Sequence, residues 1–155
     1  MNVELVTYRP ELAAAFAQLN YQWIEQYFAV EAEDRAALEH PEQYALEPGG
    51  QIFFVLEHGE AVGTVAMVPK DPNKQVYELA KMAVRPDCQG KGYSKLLMQA
   101  CIDFARQQQA AEIMLVTNDI LSPALGLYQS AGFVENPNYS DQRYARGNLE
   151  MRLAL

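Results

Sequence analysis

The sequence predicts a mixed α/β (α+β) fold built as a single domain over residues 1–155. Three observations carry that prediction. Strand-like runs and helical periods interleave along the whole chain, with no repeat, low-complexity tract or linker between them. Two β-rich runs flank His58-Gly59-Glu60, the signature of an antiparallel hairpin. A strand–helix–strand passage from Gln75 to Thr117 is a βαβ crossover, which predicts one parallel pair and right-handed connectivity. A chain of 155 residues is long enough to bury one core of useful size.

The elements follow in order. Asn2 to Tyr8 (NVELVTY) alternates and predicts a first strand. Pro10 opens a helical stretch to Phe28, because proline is tolerated in a first turn where its missing N–H has no partner to lose. Glu31 to His40 is a second, acidic helix. Gln51 to Val68 is the hairpin, and Gln75 to Val84 is a strand halted by Pro86, which also keeps Arg85 extended. In the next helix Tyr93, Leu96, Leu97, Ala100, Cys101, Phe104 and Ala105 recur at helical spacing. Glu112 to Thr117 (EIMLVT) is mostly apolar, as a buried parallel strand is. Ser122 as N-cap with Pro123 at the first helical position begins a helix to about Ala131, ended by Gly132. Arg143 to Leu155 reads as the last strand.

Composition narrows the function. A formal net charge of −8 argues against a non-specific nucleic-acid binder and against docking on an anionic membrane. No basic segment precedes an apolar run near Met1, and runs such as Ile52 to Leu56 are far too short to span a bilayer. A soluble, cytoplasmic protein is the expectation. Two cysteines, Cys88 and Cys101, make neither a disulfide framework nor a zinc site, and no metal is expected.

Against that acidic background one stretch is basic. Residues 81–95 hold Lys81, Arg85, Lys91 and Lys95 against Asp87. Within them Gly90 and Gly92 lead from a strand into a helix. A glycine loop at a helix start presents unpaired N–H groups and the positive end of the helix dipole, so it suits an anion, phosphate above all. A plain glycine turn with solvated lysines is the other reading of the same residues. There is no Gly-x-x-x-x-Gly-Lys-Ser/Thr run, and GKGYSKL lacks the third glycine of a dinucleotide fingerprint.

What remains is Gln-x-x-Gly-x-Ser, on Gln89, Gly92 and Ser94. The chain here resembles the GNAT superfamily, the acetyl-coenzyme A dependent N-acetyltransferases, whose pyrophosphate loop is Gln/Arg-x-x-Gly-x-Gly/Ala. Ser94 departs from the last position, but it is small and keeps its N–H. Tyr77 to Val84 resembles the family's fourth strand. Leu127, Tyr128, Gly132 and Phe133 match its Leu-Tyr-x-x-x-Gly-Phe hallmark. The resemblance implies a mostly antiparallel central sheet of about six to seven strands with helices on both faces. It implies acetyl-CoA as cosubstrate. Backbone groups of Met82, Ala83 and Val84 would hold the pantetheine arm. N–H groups of Gln89, Gly90, Lys91, Gly92, Tyr93, Ser94 and Lys95 would cradle the pyrophosphate, with Asn118 and Tyr128 also at the cofactor.

The implied reaction is direct acetyl transfer in a ternary complex, through a tetrahedral intermediate whose oxyanion meets the N–H of Met82 or Ala83. An alkyl ammonium, with pKa ~10.4, must first lose a proton, and the departing thiolate must gain one. Glu78 stands where part of the family has its base, and Tyr128 where the family has its acid. Glu78 could equally be a salt-bridge partner, to Lys81, and Tyr128 a core aromatic. Cys88 lacks a histidine partner in sequence, so a nucleophilic role is not expected. Trp23, Tyr27, Tyr139, Tyr144 and Arg146 are candidate acceptor-pocket residues. Arg146 would suit an acceptor with a carboxylate. Residues 25–47 carry seven acids against Arg35, which would attract a cationic amine or simply be a solvated helix face. The expected acceptor is a small-molecule amine. A protein lysine or N-terminal amine and a non-catalytic acyl-CoA sensor are the alternatives, and a homodimer is expected from fold analogy.

Overall fold

A computed structural model describes residues 2–118, 121–136 and 149–155. Its strands are β1 (Val3–Thr7), β2 (Gln51–Glu57), β3 (Glu60–Pro69), β4 (Val76–Val84), β5 (Glu112–Thr117), β6 (Val134–Glu135) and β7 (Leu149–Ala154). Its helices are α1 (Ala13–Tyr27), α2 (Ala32–Leu38), α3 (Tyr93–Gln107) and α4 (Ser122–Ala131). The strands form one sheet in the order β1-β2-β3-β4-β5-β7-β6, antiparallel except for the β4–β5 pair. Among the described residues no helix is long and apolar enough to cross a membrane.

Side-chain alternation divides the core between two faces. On β2, Phe53 and Val55 join Leu97, Cys101 and Ala105 of α3, while Ile52, Phe54 and Leu56 join Phe16 and Ile24 of α1 and Leu38 of α2. The sheet is therefore covered on both sides. The β2–β3 turn places His58 at φ 51° and Gly59 at φ 80°, the paired positive angles that a two-residue hairpin of matching twist requires.

Several local details differ from the sequence reading. Pro10 opens a 3₁₀ turn (Pro10–Leu12) that runs into α1. Glu42–Leu46 form a π-helical turn that sequence periodicity did not show. Leu96 is 44% exposed, so the buried stripe of α3 runs through Met98 and Ile102 in its place. Leu121, not Ser122, is the N-cap of α4. Gly132 ends that helix at φ 104°, and the Phe133 N–H returns to Tyr128 O at 3.0 Å, as a left-handed cap does. Residues 143–148 of the expected last strand, with Tyr139, Tyr144 and Arg146, lie outside the described residues.

The feature that positions the site is the parting of β4 from β5. They pair only through Val76↔Glu112, Tyr77↔Ile113 and Glu78↔Met114. Beyond Glu78, β5 continues against β7 and β4 against β3. There β4 also bulges, since Thr64 pairs with Ala83 and Ala66 with Ala80, leaving Lys81 and Met82 opposite Val65 alone. Lys81 takes φ 57°, the kink that absorbs the extra residue.

Candidate active site

Where β4 and β5 part, a cavity of about 100 Å³ opens, lined by Asn20, Trp23, Glu78, Lys81, Thr117 and Tyr128 among others. A cleft of about 640 Å³ leads from it along Met82, Ala83 and Val84 to Gln89, Gly90, Gly92, Ser94 and Lys95. Trp23, Met82, Leu121 and Tyr128 line both spaces. The topology thus joins the glycine loop, the free edge of β4 and the two candidate proton-transfer residues into one continuous depression. Trp23 and Tyr27 face the cleft from α1, and Asn118 lines the cavity rather than the cleft.

The loop offers backbone donors. Among the described residues, the N–H groups of Gly90, Lys91, Gly92, Tyr93, Ser94 and Lys95 have no backbone acceptor, whereas Leu96 N–H already bonds Gly92 O at 3.3 Å. Gly90 and Gly92 both sit at φ 85°, and a Cβ built on either meets no atom within 4 Å, so the surface above them is open. Gln89 braces the turn by donating Nε2–H to Val84 O at 3.3 Å.

The charge of the loop is not what composition implied. Arg85 pairs with Asp87 at 2.6 Å and Glu60 at 2.8 Å, and Lys91 with Glu57 at 3.0 Å. Tyr93 also turns its hydroxyl onto Glu57, and its ring packs in the core. Those two contacts, Tyr93 first, hold the Glu57 carboxyl below the usual carboxylate range. Lys91 does not line the cleft, and Lys95 is the loop cation that does.

Glu78 sits at the last β4–β5 pair, its side chain 6% exposed and 3.7 Å from Lys70. Lys81 is not its ion-pair partner. The bulge turns Lys81 toward α2, where Nζ meets Asp34 at 2.7 Å, with both side chains buried. Tyr128 is buried beside Phe133, their rings 6.1 Å apart, and burial pushes its hydroxyl pKa up to about 12, with Cys101 adding to the rise. Tyr128 is thus both a core aromatic and a wall of the site. Burial likewise raises the Cys88 and Cys101 thiols, and neither histidine lines the cavity or the cleft.

Sequence reasoning missed Asn20, Lys81 and Thr117 as cavity residues. Asn20 had a signal, a polar side chain on the α1 face that buries Phe16 and Ile24. Lys81 had none, because strict alternation would put it with Tyr77 and Leu79 on the α3 face.

Comparison with known proteins accords with this geometry. The family model described as the acetyltransferase (GNAT) family matches residues 17–133. The human N-acetyltransferase 8B is 38% identical over 88 residues, which is 54% of this chain and 39% of that protein. The zebrafish (Danio rerio) N-acetylaspartate synthetase is 34% identical over 113 residues, 70% of this chain and 40% of that protein. The chain thus spans about two fifths of the length of these curated relatives. A GNAT-family acetyltransferase from Staphylococcus aureus superposes with a TM-score of 0.87 over 98% of both chains at 21% identity. A Salmonella typhimurium structure determined with acetyl-CoA as its cofactor superposes with a TM-score of 0.76 at 20% identity, over 99% of this chain and 94% of that one. This chain belongs to the acetyltransferase (GNAT) family.

Proposed function

We propose that the protein is an N-acetyltransferase that moves the acetyl group of acetyl-CoA to a primary amine of a small molecule, in a ternary complex. The observation that carries this reading is the run from unpaired loop N–H groups, along the free edge of β4, into a small cavity holding both Glu78 and Tyr128. The loop fits a pyrophosphate. Its N–H groups lack backbone acceptors among the described residues, its two glycines leave the approach open, and Lys95 adds a charge. Met82, Ala83 and Val84 offer a strand edge to an amide-bearing arm.

When bound, acetyl-CoA supplies an activated thioester. The chain does the rest. Glu78 takes the ammonium proton, directly or through water, since only the free amine carries the attacking lone pair. Tyr128 keeps its proton at working pH, because burial holds the hydroxyl neutral, and donates it where negative charge collects on sulfur. The oxyanion donor would be the N–H of Met82, at the bulge beyond the last β4–β5 pair, because alternation from the Arg85 N–H to Val62 O bond turns the Ala83 N–H toward β3. A cavity of about 100 Å³ suits an amine head group. The relative named N-acetylaspartate synthetase supports a small acceptor.

The test is a panel of small amines and peptides assayed by free-thiol release from acetyl-CoA. Release dependent on small primary amines is expected. Faster release with lysine-bearing or free N-terminal peptides would move the assignment to protein acetylation. No release with tight acyl-CoA binding would leave a sensor.

A further inference from the structure

Among the described residues other than glycine with a positive φ, His58, Lys74 and Gln109 lie between elements and Lys81 lies within a strand, at φ 57°. Side chains strain in that region, and such an angle persists only where the surroundings hold it. Its effect on β4 follows from backbone alternation. A strand turns the N–H and C=O of one residue to the same side, and the side changes with each residue. Val76 O accepts the Lys70 N–H at 2.8 Å, so Val76, Glu78 and Ala80 turn these groups to β3. Arg85 N–H donates to Val62 O at 2.8 Å, so Arg85 and Ala83 turn theirs to β3 as well. The phase changes between Ala80 and Ala83, where Lys81 and Met82 stand opposite Val65. That change turns the Met82 N–H away from β3, to the side where β4 has parted from β5 and Met82 lines both cavity and cleft. With Lys81 extended, the first phase would run on and the Met82 N–H would face β3.

Resting on the transfer reading above, we propose that Asp34 is a positioning residue for acetyl transfer: its carboxylate holds Lys81 in the left-handed conformation that aims the Met82 N–H at the thioester oxygen. Asp34 lines neither the cavity nor the cleft and is 0% exposed. Its Oδ2 accepts the Glu31 N–H at 2.8 Å, which fixes the carboxylate to the start of α2. Its Oδ1 accepts from Lys81 Nζ at 2.7 Å, with the Lys81 side chain 6% exposed. A hydrogen bond between two ionised groups is short and strong. In an extended β4, alternation would carry the Lys81 side chain to the α3 face with Tyr77 and Leu79, away from Asp34. The ion pair and the left-handed angle therefore stand or fall together. An oxyanion donor acts only when it points at the developing charge, so turning it away costs rate more than coenzyme binding. The glycine loop is braced separately, by Gln89 on Val84 and Lys91 on Glu57.

The double variant Asp34→Leu, Lys81→Met removes both charges and the bond between them. With an amine that the wild type acetylates, its kcat from thiol release should fall by about ten-fold or more, toward the roughly 10²–10³ cost of a lost oxyanion donor. Its acetyl-CoA Kd by calorimetry should stay within about three-fold of wild type, and its urea midpoint near that of wild type. A merely structural role would restore kcat together with the urea midpoint. Asp34→Leu, Lys81→Gly lets residue 81 take the left-handed angle without a side chain to strain, and should regain much of the lost kcat. Asp34→Asn, the same size without the charge, takes the place of the Leu and Met pair if urea unfolding shows that pair to be misfolded. A further readout needs no acceptor. In protein labelled with ¹⁵N-methionine, the Met82 amide is the signal missing from Met82→Leu. Its shift should differ between CoA and acetyl-CoA complexes of the wild type, and should not differ in the double variant. Wild-type kcat in the folded variant, or a Met82 difference that survives in it, overturns the role of Asp34 while leaving the transfer reading standing. Absence of release by the wild type with every amine and peptide overturns both.

Discussion

Tyr128 carries two duties that its neighbours reconcile. The ring fills the core beside Phe133, while the residue borders both the cavity and the cleft. Tyr128→Phe keeps the packing and removes the proton. We expect kcat to fall by at least ~10-fold, toward the 10²–10⁴ range of general acids, with acetyl-CoA affinity nearly unchanged. Steady-state kinetics beside calorimetry checks this, and normal turnover would make the residue structural alone. The raised pKa also has a stability consequence. The unfolded chain releases this proton near ~10 and the folded one near 12, so stability present below pH ~10 is lost as pH climbs toward 12. Urea midpoints of the wild type should fall more steeply over that window than those of Tyr128→Phe. At Glu78 the expected signature is kinetic. Glu78→Gln cannot take the amine proton, so turnover should drop most at neutral pH and recover toward high pH, where more amine is already neutral. An equal loss at every pH would remove the base role.

At the scale of elements, two junctions organise the site. The first is the turn into α3, where Gly92 serves as N-cap in a left-handed conformation that side chains strain to adopt. Gly92→Glu adds that strain and a negative charge where phosphate oxygens are expected. Acetyl-CoA affinity by calorimetry should fall at least ~10-fold, in line with the cost of a like charge beside a phosphate. Undiminished affinity would separate the loop from the coenzyme. The second junction is the β4 bulge, which sends Lys81 across to Asp34 on α2. That carboxylate also accepts the Glu31 N–H at 2.8 Å, closing the capping box of its helix. Asp34→Ala takes the carboxylate away from a buried ammonium, and a loss of about 3–5 kcal/mol in urea unfolding is expected. The double variant Asp34→Leu, Lys81→Met should recover most of it, because a well-packed apolar pair replaces the ions.

The whole molecule is a sheet with a core on each face and a gap cut into its centre. The face bearing α3 supports the loop, and the face bearing α1 and α2 supplies Asn20 and Trp23. A ligand that fills the gap binds the folded chain alone. At a hundred-fold excess over its Kd, coenzyme should stabilise the fold by ~2.7 kcal/mol, raising Tm by roughly 5–10 °C in a thermal scan. At the same coenzyme concentration the shift should fall to about half or less in Gly92→Glu, and no shift in the wild type would contradict the cleft as its site.

Local chemistry was enough to set out the elements, the hairpin, the parallel crossover and the glycine loop. Each depends on neighbours within a few residues: Pro86 halting β4, Gly132 ending α4, alternation along β2. Gly92 came into view through that loop, whereas Glu78 and Tyr128 did so through the resemblance to the GNAT family. Tertiary structure decided what depends on partners far along the chain. Glu57 neutralises Lys91 across 34 positions, and Asp34 neutralises Lys81 across 47, so the basic patch in the sequence is largely paired in space. The bulge reversed the face of Lys81 because one extra residue shifts a period of two. Asn20 became a cavity residue only when β4 parted from β5 and opened a space beneath α1, since which side chains meet there is settled by packing and not by the order of residues.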